Sequence, residues 1–295
     1  MAAPTAPTAT DLCTEGLKRA GYSNPSTAQL TRAASWLEEI KNDIWIIGKR
    51  LLPLQGEHVE VLTPGKSRYN FPSGFSSIAS ARVLYGDEVK TVAAGGASSV
   101  TLASDEAEGE DEIEGKEILI YSGTGAGGLA QVTSFNDDTK IATISPAWTT
   151  APVLNDTYVI VDQYTPLDIE HLARFNELQV PYIGTMPVKL YPIGSENNYG
   201  YYHVYPVPDD DHYYAVHMVY YMNLLTLDLA GTRMSTLYQR WRNLWIQGVK
   251  ARMFEDDDDS RAQTEMARYY NMVKDITSLE TYGRTNKQHY TGIRA

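Results

Sequence analysis

The sequence predicts an α+β protein in which a helical bundle, formed by the N- and C-terminal helices with β-hairpins, carries an inserted small all-β domain, a barrel or a sandwich. Apolar residues recur every three to four residues near both ends of the chain, as in amphipathic helices. Between these ends lie short β-branched runs bounded by Gly, Asn, Asp and Pro. The predicted segments are 1–86 with the N-terminal helices and a hairpin, 87–162 with the inserted β domain, 163–281 with a tyrosine-rich hairpin and the C-terminal helices, and 282–295 as a tail.

Two helices are predicted between Thr10 and Leu51. Asn24 and Pro25 interrupt the pattern, and we expect Asn24 to cap the second helix and Pro25 to take its first position, where a missing N–H costs nothing. The second helix has one apolar face, which must be buried against other helices. The residues of this face are Leu30, Ala33, Leu37, Ile40, Ile44, Ile47 and Leu51. The expected partners in the bundle include Leu237, Trp241 and Leu244.

The apolar period shortens to two after Pro53, which is typical of strands. A hairpin is predicted from residues 58–63 and 67–71 about a turn at Pro64 and Gly65, and a return segment then ends at Gly86. Six short strands follow, as in a small barrel or sandwich. They are residues 89–94, 98–104, 116–122, 129–136, 140–145 and 156–161. The acidic run that begins at Glu106 and ends at Glu114 is expected to be a solvated loop.

A short helix is predicted next, because Thr165, Pro166 and Asp168 resemble a capping box with proline in the first turn. Its apolar face would contain Ile169, Leu172 and Phe175. Strands are then expected at residues 188–193, 199–207 and 213–222, the last two joined as a hairpin. This hairpin contains eight tyrosines, and their rings suit a sheet with both core and surface positions.

The C-terminal part is predicted to be helical again. Apolar stripes in residues 237–253 and 262–276 indicate two helices, or one bent helix, interrupted by the acidic run 256–259. From Tyr282 to Ala295 the pattern fades into a polar tail that has basic residues and no acidic residue. This tail is the one locally basic segment of the chain.

The overall charge limits the classes of partner. The formal net charge is -12 and the pI is near 4.9, whereas proteins that wrap nucleic acid neutralise its phosphates with Lys and Arg. This charge balance disfavours general DNA-wrapping roles, although an acidic surface that DNA only passes is compatible with it. The single cysteine, Cys13, excludes an internal disulfide and a cysteine metal site. We expect a soluble protein of a reducing compartment, since the sequence has no signal-peptide pattern and no membrane-spanning run.

No catalytic, cofactor-binding or metal-binding residue is predicted. The glycine run 123–128 follows a strand, as in dinucleotide-binding loops, but a second strand comes next where such a loop needs a helix, so a turn is expected. The six histidines lack the spacing of zinc sites. The acidic runs, including 256–259, lack the alternating ligands of a calcium loop.

Several sequence motifs are weak individually, but their order along the chain is informative. The N-terminal ones are Asp11-Leu12, Leu17-Lys18-Arg19-Ala20-Gly21, Asn24-Pro25-Ser26, Ala34-Ser35-Trp36-Leu37 and Asn42-Asp43-Ile44-Trp45. The later ones are Tyr69-Asn70-Phe71-Pro72-Ser73-Gly74-Phe75-Ser76-Ser77-Ile78 and Tyr202-His203-Val204-Tyr205-Pro206-Val207-Pro208. In this order they resemble the head-to-tail adaptor (connector) proteins of tailed bacteriophages. The central segment, with Gly123-Thr124-Gly125-Ala126-Gly127, Val132-Thr133-Ser134-Phe135 and Ala147-Trp148, is similar to a small β module of assorted phage structural proteins.

The resemblance implies a structural virion protein without catalytic activity or cofactor. It implies a homo-oligomeric ring, expected to be a dodecamer, that docks under the portal protein and above the tail nozzle or tube. Double-stranded DNA would pass the channel without specific binding, because a negative wall does not hold the phosphate backbone. The implied location is the neck of the virion, after assembly in the host cytoplasm. The inserted β domain is expected on the outside, where a tail fibre or the capsid is a possible partner.

The resemblance also assigns a role to the C-terminal tail. In this family the C-terminal segment commonly reaches toward the portal, so residues 282–295 are the expected docking tail. The residues expected to dock it are Tyr282, Arg284, Lys287, Tyr290 and Arg294.

Two alternatives from other functional classes stay open at this stage. One is a β-domain binding module for carbohydrate or a protein receptor, which the tyrosine-rich hairpin and Trp148 would support. The other is a hydrolase with dispersed carboxylates, which a raised carboxyl pKa in a cleft would support.

Overall fold

A computed structural model of the chain describes residues 6–47, 54–107, 109–170, 183–184, 186–195 and 198–288. It confirms the α+β class with an all-β domain. The chain divides into two compact units, which we name the helical unit, Met1–Gln55 with Tyr221–Ala295, and the β unit, Gly56–Tyr220. Both ends of the chain therefore build one unit, and the other unit is an insertion in its sequence.

The structure contains helices and strands in the following order. The helices are α1 (Ala9–Ala20), α2 (Thr27–Ile47), the short α3 (Glu110–Ile113), α4 (Thr232–Arg240), α5 (Arg242–Asp256) and α6 (Ala262–Gln288), with a 3-10 helix at Leu224–Thr226. The strands are β1 (Gln55–Val61), β2 (Arg68–Asn70), β3 (Phe75–Gly86), β4 (Val89–Thr91), β5 (Ala94–Gly96), β6 (Ser99–Thr101), β7 (Glu117–Ser122), β8 (Leu129–Asn136), β9 (Ile141–Ser145), β10 (Thr157–Val161), β11 (Gln163–Pro166), β12 (Asp168–Ile169), β13 (Ile183–Gly184), β14 (Lys189–Ser195), β15 (Asn198–Tyr205), β16 (Val207–Pro208) and β17 (Tyr213–Met222).

Reciprocal side-chain contacts fix where α1 and α2 begin. Thr8 and Asp11 form a capping box, in which the Asp11 N–H donates to Thr8 Oγ1 (3.2 Å) and the Thr8 N–H donates to the Asp11 carboxylate (2.8 Å). At the start of α2 the Gln29 N–H donates to Ser26 Oγ (3.3 Å) and the Ser26 N–H donates to Gln29 Oε1 (2.8 Å), in the same reciprocal pattern. The prediction that Asn24 caps α2 with Pro25 in its first position is therefore wrong, because Ser26 is the residue whose hydroxyl reaches the free N–H of the first turn.

The helical unit has one apolar core, which side chains of α1, α2, α4, α5 and α6 share. Gly248 of α5 lets α2 approach closely, since a Cβ at this position would lie 2.6 Å from Ile40 Cδ1. The predicted C-terminal helices are three in number, because Trp241, with φ −116° and ψ 33°, is not helical and separates α4 from α5. The helix α6 continues to Gln288, so the polar tail predicted from Tyr282 starts as helix.

The β unit contains a seven-stranded sheet in the order β4-β10-β7-β8-β9-β6-β5. All six strand segments predicted between residues 89 and 161 lie in this sheet, the first and second having become three short strands. One face of the sheet has its own core, in which Ile118, Val132 and Tyr158 are buried. Two four-stranded sheets, β1-β17-β3-β11 and β12-β14-β15-β2, and the pair β13-β16 complete the unit among the described residues.

Both predicted hairpins outside the seven-stranded sheet are absent, because their strands pair in different sheets. β1 pairs with β17, whereas β2 pairs with β15. The turn between β1 and β2 is held by the Tyr69 hydroxyl, which binds backbone atoms of Thr63 and Lys66. β15 and β17 likewise lie in separate sheets. The segment between them contains β16, which pairs with β13.

The helix predicted from Thr165 is also wrong for the described residues. Thr165 lies in β11 opposite Val83 of β3, and Asp168 and Ile169 form β12. Despite the capping-box pattern, Thr165 thus pairs with β3, and Asp168 and Ile169 pair with β14. Leu172 and Phe175 of the predicted helix lie outside the described residues.

The acidic run 106–114 differs from the expected solvated loop at its first residue. Glu106 is 4% exposed and accepts hydrogen bonds from Lys90 Nζ (2.8 Å) and the Tyr158 hydroxyl (2.7 Å). A buried carboxylate requires such partners, because desolvation of a lone charge is costly. Glu106 is therefore a buried, hydrogen-bonded residue of the β unit, and residues 110–113 of the same run form α3.

Candidate functional site

The residues predicted to form the bundle lie mainly in the core of the helical unit. Those that are at most 5% exposed are Leu37, Ile40, Ile44, Leu237, Trp241 and Leu244. Leu30 is partly buried against the same core. Ile47 departs from the predicted face, because it ends α2 and is 38% exposed. Leu51 lies outside the described residues.

The predicted docking residues fall at the end of the described chain. Tyr282, Arg284 and Lys287 belong to α6, whose side chains are described only to residue 276. Tyr290 and Arg294 lie outside the described residues. The tail hypothesis therefore stays a prediction, with the refinement that half of the segment is helical.

The acidic run between α5 and α6 is held by basic and hydroxyl partners. Arg32 pairs with Asp256, and the Tyr22 hydroxyl donates to Asp257. Asp259 accepts hydrogen bonds from Arg261 Nε and Nη2 at 2.9 and 2.7 Å, which lower the pKa of Asp259 to about 2. These contacts give the run a structural role as the turn between the two helices.

The glycine run 123–128 is the turn between β7 and β8, and Asp156 organises it. The Asp156 carboxylate accepts the N–H groups of Val153 (2.9 Å), Thr124 (3.0 Å) and Gly125 (3.2 Å), which lower its pKa. Gly123 has φ +100°, and a Cβ there would lie 2.0 Å from Asp156 Oδ1, so only glycine fits. The N–H groups of residues 126–128 donate to backbone carbonyls. Every N–H of residues 124–128 thus has a protein acceptor.

A cleft of 610 Å³ in the β unit is the main concave feature near this turn. It lies beside the contact between the sheet β1-β17-β3-β11 and the seven-stranded sheet, where Leu84, Leu119, Val161 and Ala215 form a buried apolar cluster. Its walls include Glu57, Val59, Glu117, Gln131, Trp148 and His217. The volume is in the range of small-molecule sites.

Arg82 organises the polar end of this cleft. Its Nη2 donates to both oxygens of Glu117, at 2.7 and 3.0 Å, and its Nε donates to His217 Nδ1 at 3.0 Å. The guanidinium also lies 5.0 Å from the centre of the Tyr164 ring. Arg82 is therefore fixed by groups from two neighbouring strands, β17 and β11, and from β7 of the facing sheet.

The imidazole of His217 is neutral at pH 7. Burial lowers its pKa and the Arg82 charge lowers it further, against the opposing effects of Glu57 and Glu117. Because Arg82 can only donate, Nδ1 must be the acceptor and the ring proton lies on Nε2. This Nε2 is 3.8 Å from Glu57 Oε2. The cleft thus has one fixed donor next to an exposed carboxylate.

Sequence reasoning did not single out this cluster. Arg82 is 35 residues from Glu117 and 135 residues from His217, so no local spacing connects them. The available signal was strand alternation, which places Arg82 with Leu84, and His217 with Ala215, on one face of a sheet. That signal identifies the cluster only together with the strand order, which the spacing of residues along the chain does not give.

The search for metal sites and membrane-spanning helices, and the comparison with known proteins, assign no function to the chain. Among the described residues, no three or more His, Cys, Asp or Glu side chains lie close enough together to hold a metal ion. No helix in the described part of the chain is both long and apolar enough to span a membrane. No protein-family model matches the sequence, and no curated protein matches it.

Proposed function

We propose that this chain is a structural virion protein, a head-to-tail adaptor that forms a ring between portal and tail and lines the DNA channel. The observation that carries the proposal is the construction of the helical unit. Both ends of the chain contribute helices to one core, and the β unit is inserted between residues 55 and 221. This agrees with the architecture that the resemblance to phage adaptors implies.

The helix α6 supports assembly through helix contacts. It has 27 residues, which corresponds to about 40 Å. In its first fifteen residues, Tyr269 and Val273 are fully buried, while Tyr270 is 37% exposed. Over residues 262–276 the helix thus packs on its own subunit along one narrow stripe, and exposed positions outside that stripe, such as Tyr270, are where a neighbouring subunit would pack.

Ion pairs within the helical unit support a channel that DNA passes without binding. Residues 1–55 and 221–295 contain 17 Lys and Arg against 14 Asp and Glu, and several of these basic side chains are paired with carboxylates, as Arg32 is with Asp256 and Lys250 is with Glu265 at 2.7 Å. A paired cation contributes little to phosphate binding, because its charge is already neutralised. In this role the partners are the portal protein and the tail nozzle or tube, and the β unit contacts a tail fibre or the capsid.

Ring formation tests the proposal directly. Purified protein mixed with its portal protein is expected to form a stable complex, visible by negative-stain electron microscopy as a second ring with the portal's axis. Native mass spectrometry of the complex gives the subunit number, for which a dodecamer is expected. A mixture that contains only free portal and free protein would remove the adaptor proposal.

Portal binding should depend on the basic C-terminal segment. We expect a chain that ends at Thr281 to lose binding, since it lacks all three basic residues, Arg284, Lys287 and Arg294. A chain that ends at Gln288 keeps the complete α6 and should bind more weakly than the full chain. Co-sedimentation with the portal measures both, and circular dichroism checks the fold. Equal binding by all three chains would contradict the docking role.

A further inference from the structure

The cleft of the β unit presents a donor and an acceptor side by side, so that one hydroxyl group can bind both. His217 Nε2 carries the proton and lies 3.8 Å from Glu57 Oε2, which exceeds hydrogen-bond length. Arg82 holds the ring through Nδ1 at 3.0 Å, so the ring cannot turn to present an acceptor. A hydroxyl oxygen that lies to one side of this pair, about 2.8 Å from each atom, would accept from His217 and donate to Glu57. This is the way an alcohol, which both donates and accepts, is recognised.

The remaining lining of the cleft disfavours anions. The N–H groups of the turn at residues 124–128 all have protein acceptors, so none is available to bind a phosphate. Glu57 and Glu117 add two negative charges, of which Arg82 compensates one. A neutral ligand rich in hydroxyl groups meets these acceptors without charge repulsion.

The exposed edge of one aromatic ring completes the site. Trp148 belongs to the core of the seven-stranded sheet and is 8% exposed, and part of its ring lines the cleft. A Cβ on Gly128 would lie 3.2 Å from Trp148 Cε3, so the absence of a side chain there keeps this part of the ring uncovered. Sites for small polar molecules combine an apolar wall with a few fixed polar groups in this way.

We infer that the cleft between the β1-β17-β3-β11 sheet and the β7–β8 turn binds a neutral saccharide. His217 Nε2 and the Glu57 carboxylate bind one sugar hydroxyl. The Gln131 amide, whose Nε2 already donates to the Gly115 carbonyl (3.1 Å), offers its oxygen to a second hydroxyl, and the exposed edge of Trp148 contacts the sugar ring. The binding site lies within the β unit and does not depend on the adaptor role. A surface glycan is the matching class of partner.

Saturation-transfer NMR with maltotriose and with triacetylchitotriose tests this inference on the full-length protein. Signal transfer is expected for at least one of the two sugars. The variant Glu57→Gln should bind that sugar about tenfold more weakly, as expected for loss of a hydrogen bond to a charged acceptor. The matched control is Glu88→Gln, because the Glu88 side chain is 72% exposed and that of Glu57 is 76% exposed, and Glu88 lies outside the cleft.

The outcomes separate the saccharide from other occupants. Unchanged sugar binding by Glu88→Gln together with the loss in Glu57→Gln supports the site. No transfer to either sugar overturns it, as does equal binding by wild type and Glu57→Gln. Preferential binding of a trilysine peptide in the same assay would also overturn it, because the cleft would then recognise a cationic protein segment. Ring formation with the portal is unaffected by any of these results.

Discussion

Replacing Arg252 by methionine should lower the free energy of unfolding of the helical unit by about 2 to 4 kcal/mol, somewhat less than the roughly 3 to 5 kcal/mol of a fully buried ion pair that is broken. The Arg252 side chain is 6% exposed, and its Nε donates to Glu39 (2.8 Å) and its Nη2 to Asp43 (2.6 Å). Burial lowers the pKa of Arg252, but these hydrogen bonds raise it above its ordinary value. Methionine keeps the apolar stem and leaves Asp43 with the Tyr269 hydroxyl, at 3.1 Å. The effect is moderated because Glu39 is 58% exposed and regains water.

Urea denaturation followed by tryptophan fluorescence measures this loss in the helical unit. Four of the five tryptophans, Trp36, Trp45, Trp241 and Trp245, belong to its core. The matched control is Arg261→Met, because Arg261 also binds a carboxylate and lies over an aromatic ring, Phe254, but is 62% exposed. The control should shift the midpoint far less. Equal shifts for both variants would contradict a special contribution of the buried charge.

The helical bundle was predictable because helix burial follows from spacing within the segment. Residues three and four apart share a face, so the apolar stripe containing Leu37, Ile40 and Ile44 indicated both the helix and its buried side. The ends of the helices were less predictable. The start of α2 depends on whether Asn24 or Ser26 caps it, and both are good capping residues. The charged partners of Arg252 were not predicted, since Glu39 and Asp43 are more than 200 residues away in sequence.

The strands of the β unit were predicted better than their pairing. Alternation and turn residues identified β7, β8, β9 and β10 within a few residues. The partner of a strand, however, depends on every other strand that competes for its edge. β1 takes β17, which lies about 150 residues later, in preference to the nearby β2. The rule that neighbouring strands form hairpins failed there and for β15 with β17.

The candidate site could not be predicted for the same reason. Glu57, Arg82, Glu117 and His217 come from four strands, and only the order β1-β17-β3 and the facing of the two sheets bring them together. Each is unremarkable in its own segment, since charged residues on strands are commonly exposed. The glycine run was informative in sequence, yet its role is to form the turn that Asp156 holds.

Replacing Ile40 by alanine should lower the free energy of unfolding of the helical unit by about 2 to 5 kcal/mol, the range for apolar side chains truncated in a core. Ile40 is fully buried where α2 meets α5. The matched control is Ile46→Ala in the same helix, because Ile46 is 69% exposed and should change stability by less than about 0.5 kcal/mol. Urea midpoints by fluorescence compare the two. Similar losses would mean that the face of α2 containing Ile40 is not the buried one.

The size of the Ile40 effect depends on Gly248. A methyl group at this position would lie 2.6 Å from Ile40 Cδ1 and 3.1 Å from Tyr269 Cε2, so Gly248→Ala alone should destabilise the unit by overpacking, by about 1 to 3 kcal/mol. In the Ile40→Ala background the same methyl group enters the space left by the isoleucine and keeps only the contact with Tyr269, so Gly248→Ala should cost much less there. The double-mutant cycle therefore predicts that the two losses are less than additive. Additive losses in the cycle would show that α2 and α5 do not meet at these two residues.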